Sequence, residues 1–119
     1  MTDIAFYIGS HGYGHAARQQ AVITALAKRG GRAHVRTAAP PKFFKMAASY
    51  HAQRYDIGMI QKDALTLDVE GSLRWYAEFL QAQEPLIESE VAWCKAEGIQ
   101  LIASDMPPFA MEVAQRVGV

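Results

Sequence analysis

The chain is 119 residues long, half of them apolar and a fifth charged, and its twelve basic and twelve acidic side chains cancel. One domain of this size buries about two thirds of its unfolded surface, and no apolar run approaches the roughly 20 residues of a membrane span. The start lacks the basic and then apolar stretch of a secretory signal, and the single cysteine, Cys94, excludes an internal disulfide, so a cytoplasmic chain with no nucleic-acid partner and no transmembrane segment is expected.

A short apolar run, Ile4 to Ile8, predicts a buried first strand. It leads into Gly9-Ser10-His11-Gly12-Tyr13-Gly14-His15-Ala16-Ala17-Arg18, a glycine turn between strand and helix. In α/β proteins such a turn is where bare backbone approaches a ligand. Gly9, Gly12 and Gly14 allow positive φ and close approach, and the first N–H groups of the new helix point into the crevice. The helix is expected from His15 to Arg29, with Ala17, Ala21, Val22, Ala25 and Leu26 inward and Gln20, Thr24 and Lys28 outward. Gly30-Gly31 stops it. Ala33 to Thr37 alternates and reads as a second strand with one side less buried. Pro40-Pro41 opens a short helix through Lys42 to Ala48.

A third strand is expected around Gln53 to Ile57. The loop Gly58 to Gly71 after it is longer than an αβ connection requires, a hint of function. A helical stretch from Ser72 to Glu97 follows, with a kink or a break into two helices at Pro85. Its apolar stripes, Trp75, Tyr76, Phe79 and Leu80 before the proline and Ile87, Val91 and Cys94 after it, read as core, with Cys94 an inert thiol. Gly98 ends the helix. Ile99 to Ser104 is the fourth strand, with Asp105 at its carboxyl end. Met106-Pro107-Pro108 turns the chain into a last helix, Phe109 to Arg116, and Val117-Gly118-Val119 resembles the approach to a fifth strand.

This alternation predicts a Rossmann-like, doubly wound parallel sheet over residues 1–119 in the order 3-2-1-4-5. Strands one and four are then neighbours, and the crevice between them is bordered by His11 and His15 on one side and Asp105 on the other. The glycine spacing is neither a dinucleotide fingerprint nor a Walker loop, and no acidic residue follows strand two to hold a ribose. His11 and His15 lie four apart, but His11 precedes the helix and no HExxH-type glutamate stands between them, so no metal is expected, and no cofactor. His34 and His51 read as strand and loop histidines. A His15–Asp105 pair is the sharper possibility, since a carboxylate that fixes one imidazole nitrogen leaves the other as a base. The plain alternative is that each residue caps a helix. Charge is also divided along the chain. Through Tyr55 eight basic residues face one carboxylate, Asp3, and from Asp56 onward eleven carboxylates face four basic residues. A basic first half suits an anionic ligand or a membrane surface, although solvated faces account for most of it. Arg18, one turn from the glycine loop, is the exception.

The first turn and helix resemble the N-terminal domain of GT-B glycosyltransferases, in which a Gly-His pair like Gly14-His15 opens the first helix. The resemblance implies that His15 deprotonates the acceptor hydroxyl and that Asp105, after Ile102-Ala103-Ser104, orients it. The chain is more closely similar to the glycosyltransferase-like N-terminal region of plant-type L-arabinokinases and related bacterial proteins, through Ser10 to Arg18, Asp63-Ala64-Leu65-Thr66-Leu67-Asp68 and the region up to Asp105. In arabinokinases a sugar-kinase domain follows; no such domain is visible here, and kinase activity is not carried over.

What the resemblance implies is the acceptor-side, N-terminal part of a larger GT-B enzyme that moves a sugar from a nucleotide-diphosphate sugar to an acceptor hydroxyl. Gly12, Gly14 and the helix start would face the diphosphate or the transferred sugar, Arg18 an anion, and His11 and Tyr13 the acceptor. The C-terminal donor-binding domain of GT-B enzymes is not in this sequence, so the isolated chain is expected to be inactive. Two other readings stay open: a non-catalytic nucleotide- or phosphate-binding regulatory module, and a structural fragment that forms a homodimer through an open sheet edge.

Overall fold

The structure, a computed structural model, describes residues 2–57 and 60–119. Four parallel strands, β1 (Asp3–Ile8), β2 (Arg32–Thr37), β3 (Ser49–Ala52) and β6 (Leu101–Asp105), form a sheet in the order β3-β2-β1-β6. A separate antiparallel pair joins β4 (Ile60–Gln61) to β5 (Leu67–Asp68), and the helices are α1 (Gly14–Lys28), α2 (Val69–Glu97) and α3 (Phe109–Val117). The sheet has the Rossmann-like topology expected, with the strand of Asp105 beside the strand that feeds the glycine turn.

β1 is central and buried at all six positions, as a parallel strand covered on both faces must be. Its alternation sorts the core into two layers. Ile4, Phe6 and Ile8 pack with Ala16 and Ile23 of α1, with Ala33 and Val35 of β2 and with Phe44. Ala5 and Tyr7 face the other way, onto Ile87 and Cys94 of α2 and Phe109, Ala110 and Val113 of α3. The register pairs Ile8 with Asp105, so Asp105, in step with Ala103, stands on the α1 side of the sheet.

Several boundaries differ from expectation, each for a physical reason. The third strand is Ser49–Ala52, not Gln53 to Ile57, because an edge strand with only Tyr50 half-buried carries no apolar alternation. The residues that looked like strand, Tyr55 and Asp56, are buried but follow it without strand pairing. β2 has no less buried side: His34 and Arg36 are buried along with Ala33 and Val35, through polar partners described below. After Pro40 only one 3₁₀ turn forms, Pro41–Phe43. The buried residues of α1 are Ala16 and Ile23, while Ala17, Ala21, Val22 and Ala25 are exposed, alanine being too small to mark a face by itself.

α2 is one helix of 29 residues that runs through Pro85 rather than two. It also starts earlier than Ser72, since the Asp68 side chain accepts from the Gly71 N–H at 2.9 Å and supplies the N-cap. Ser72 Oγ donates to the Asp68 carbonyl at 2.6 Å and accepts from the Ile60 N–H at 2.7 Å, which fastens the β4–β5 hairpin to the helix. Of the loop expected over 58–71, Gly58 and Met59 lie outside the described residues, residues 60–68 form this hairpin and residues 69–71 open α2. The stripe before Pro85 is not core: Tyr76 and Leu80 are exposed, whereas Ile87 and Cys94 after it are buried. Gly98 closes α2 in the left-handed region, as expected, and Gly118 closes α3 in the same way rather than starting a strand. Among the described residues no helix is long and apolar enough to cross a membrane.

Candidate functional site

The carboxyl ends of β1 and β6 lie side by side, and Gly9 continues the pairing by donating its N–H to the Asp105 carbonyl at 2.8 Å. A Cβ on Gly9 would come within 2.9 Å of Asp56 Oδ2 and 3.1 Å of the Met106 Cβ, so this glycine serves close packing. Gly12 alone of the three turn glycines has a positive φ, +64°. Beside both Gly12 and Gly14 the space is open, with no protein atom within 4 Å of an added Cβ. On the opposite rim Met106 holds a φ of +90°, a strained conformation for a residue with a side chain, directly after Asp105.

His15 and Asp105 meet across this crevice. His15 Nδ1 lies 2.9 Å from Asp105 Oδ1. A carboxylate only accepts, so in the neutral ring the proton sits on Nδ1 and the lone pair on Nε2. Arg18 Nη2, 3.1 Å from the same Nδ1, gives its protons to Asp105 instead, at 3.0 Å from Oδ2, and Nε adds a longer bond. Gln19 Nε2 donates to Asp105 Oδ2 at 2.9 Å. Burial works to raise the Asp105 carboxyl, but the bonds from Gln19 and Arg18 and the His15 imidazole outweigh it and hold the group below its ordinary value. The carboxylate therefore stays charged and keeps the His15 ring in one tautomer. Neither residue caps a helix: the N-termini of α1 and α3 have no side-chain cap bond.

His11 has a carboxylate of its own. Its Nε2 lies 3.2 Å from Oδ2 of the buried Asp56, without hydrogen-bond alignment. His11 and His15 border one cleft of about 510 Å³ beneath the N-terminal half of α2, closed on its far side by Ile57, Val69, Leu73 and Tyr76. The exposed apolar stripe of α2 thus forms a wall of the site. Tyr13 does not border this cleft; it is exposed and packs on Phe43 with ring centres 5.4 Å apart. Arg18 is engaged with Asp105, so an anion there would share its guanidinium.

Sequence reasoning missed Gln19, Asp56 and Met106. Gln19 had a signal, since residues 15, 18 and 19 share one helical face. Asp56 and Met106 had none, because the loops after β3 and β6 place them. Also unforeseen was a polar centre under α2. Buried Glu90 accepts from Arg36 Nε, from Arg36 Nη2 at 2.8 Å, from the Tyr7 hydroxyl at 2.9 Å and from the Tyr55 hydroxyl at 3.2 Å. The Trp93 ring covers the Arg36 guanidinium at 3.8 Å.

Compared with known proteins, the chain is 32% identical to an L-arabinokinase from Arabidopsis thaliana, an alignment that takes in 97% of this chain and 12% of that protein. No family model matches the chain, and no solved structure does.

Proposed function

We propose that this chain forms the acceptor-side part of a glycosyltransferase that moves a sugar from a nucleotide-diphosphate sugar to an acceptor hydroxyl. The observation that carries the reading is the 2.9 Å contact of His15 Nδ1 with Asp105 Oδ1, which leaves Nε2 without a hydrogen-bond partner among the described residues, on a side chain that borders an open cleft. Similarity to a protein named for a sugar-directed transfer supports a carbohydrate ligand, and that similarity covers an eighth or less of the relative's length.

In this mechanism an acceptor hydroxyl lies against His15 Nε2. The imidazole takes the proton as the acceptor oxygen bonds to the anomeric carbon, and the bond from that carbon to the nucleotide diphosphate breaks, its electron pair leaving with the phosphate. Asp105 stabilises the imidazolium that results, and Arg18 and Gln19 keep Asp105 ionised. The open backbone at Gly12 and Gly14, with the first N–H groups of α1, faces the diphosphate or the transferred sugar. The donor's nucleotide is held by a further domain.

The test uses the gene product as its source cells make it, incubated with UDP-, GDP- and dTDP-sugars and a panel of acceptors. His15→Ala is expected to lower transfer by about 10²- to 10⁴-fold with folding intact, the range of a general base. Asp105→Asn costs less. Wild-type turnover in His15→Ala would remove the base assignment, and nucleotide sugars that bind but are never consumed would replace the enzyme with a binding module.

A further inference from the structure

Beside the cleft stands a second imidazole–carboxylate pair that the proposed chemistry does not use, His11, which borders it, and Asp56 behind. Asp56 is 7% exposed at its side chain, and among the described residues neither its oxygens nor His11 Nε2 has an aligned hydrogen-bond partner. Leaving a buried carboxylate so poorly satisfied is costly, and among the described residues His11 stands within reach of it, Nε2 at 3.2 Å from Oδ2. Gly9 lies against Oδ2 on one side, where an added Cβ would come within 2.9 Å. His11 Nε2 is thus turned inward and buried, facing Asp56 Oδ2. The exposed part of the ring, 34% of the side chain, borders the cleft, and Nδ1 is the nitrogen left for a ligand.

We infer that His11 is a second hydroxyl-binding residue and Asp56 its positioning residue, so that the cleft grips a polyhydroxylated ring at two separate hydroxyls. The inference rests on the glycosyltransferase reading, because it takes the occupant of this cleft to be the acceptor. His15 Nε2 and His11 Nδ1 are both bare lone pairs in the neutral rings and suit two hydroxyl donors. Opposite them Val69, Leu73 and Tyr76 offer an apolar wall. A sugar ring has this division, with hydroxyls at its edge and C–H groups on its face. A phosphate or other anion does not, for Asp56 and Asp105 stand behind the two imidazoles. A simple alcohol engages only one imidazole and is held weakly.

The experiment is nitrogen-15 NMR of the histidine rings in the chain, with methyl β-D-glucopyranoside and methyl β-D-xylopyranoside as probes and tert-butanol as a one-hydroxyl control. Without ligand, the His11 ring is expected as the Nε2–H tautomer and the His15 ring as the Nδ1–H tautomer. Asp56→Asn should mix the tautomers of His11 and leave His15 unchanged. Glycoside should shift His11 Nδ1 and His15 Nε2 together, and His11→Ala should weaken its binding about tenfold, the loss of one hydroxyl contact. A purely structural Asp56 would leave the His11 tautomer unmoved in Asp56→Asn, which overturns the inference. Glycoside shifts at His15 alone also overturn it while leaving the transferase reading intact. Shifts at neither ring, with His15 found as the Nε2–H tautomer, would end both.

Discussion

Glu90 is where a single residue holds most of the fold together. It is 1% exposed and joins α2 to β2 through Arg36, to β1 through Tyr7 and to the segment after β3 through Tyr55. Burial, reinforced by the charge of Glu90, pushes both tyrosine hydroxyls well above their ordinary range, so they remain donors at any working pH. A buried ion pair contributes little net stability over an apolar pair, but breaking one side leaves a charge with no partner. Glu90→Gln is therefore expected to lower the free energy of unfolding by about 3–5 kcal/mol, read from urea denaturation. The double change Arg36→Met with Glu90→Leu should recover part of that loss. A cost below about 1 kcal/mol for Glu90→Gln would show that the pair is not structural. None of this was legible, because Arg36 and Glu90 lie 54 positions apart and each alone reads as a solvated charge. His15 and Asp105 lie 90 apart and were legible, since the glycine turn and the strand pattern placed both at one crevice.

At the scale of elements, what the sequence carries well is alternation along a covered strand and what it carries poorly is an edge. β1 and β6 were found with their neighbours in order, while β3 was displaced onto the buried Tyr55 and Asp56. The stripe of Trp75, Tyr76, Phe79 and Leu80 was read as core from its helical spacing, but spacing does not say whether core or cleft lies opposite, and Tyr76 and Leu80 are exposed. The start of the sheet makes a testable case. Asp3 accepts from Arg32 Nε at 2.8 Å and Nη2 at 2.9 Å, lies 2.9 Å from His34 Nε2, and so ties β1 to β2 at their first register pair. The bonds from Arg32, then His34, hold its carboxyl at about 2 instead of the ordinary 3.8. A carboxyl depressed on folding contributes its full stability above the unfolded value and loses it as the pH falls through the folded one. The contribution should thus be complete at neutral pH and disappear between about pH 4 and about pH 2. Unfolding midpoints of the native chain and of Asp3→Asn, measured down the acid limb, are expected to differ at neutral pH and to converge over that interval. A constant gap between the two curves would assign the loss to packing.

Over the whole molecule, the basic first half and the acidic second half meet at two ion pairs. Arg36 meets Glu90 and Arg18 meets Asp105, each a cross-half pair, so these two arginines are engaged within the fold while most of the other charges remain at the surface. What stays open is the end of the sheet where β1, β6 and α2 meet, with the cleft and the unfilled space at Gly12 and Gly14 on one side. Among the described residues β6 is an outer strand of the sheet, and its Leu101, 51% exposed, lies at the other end of that strand, paired with Ile4. Two partners suit different parts of this sheet: a donor-binding domain at the cleft, as the transferase reading requires, or a second copy paired along β6. They separate by experiment. Under the transferase reading the 119-residue chain remains monomeric by light scattering and leaves nucleotide sugars unchanged. The gene product from its source cells should be longer by at least one domain, about 100–200 residues, and should consume them. A gene product no longer than this chain would leave no donor half in the same polypeptide, and a concentration-dependent dimer abolished by Leu101→Lys would place a second copy on the edge. Either result shifts the function of the cleft from catalysis to binding, because a base at Nε2 of His15 does no work without a donor carbon held in front of it.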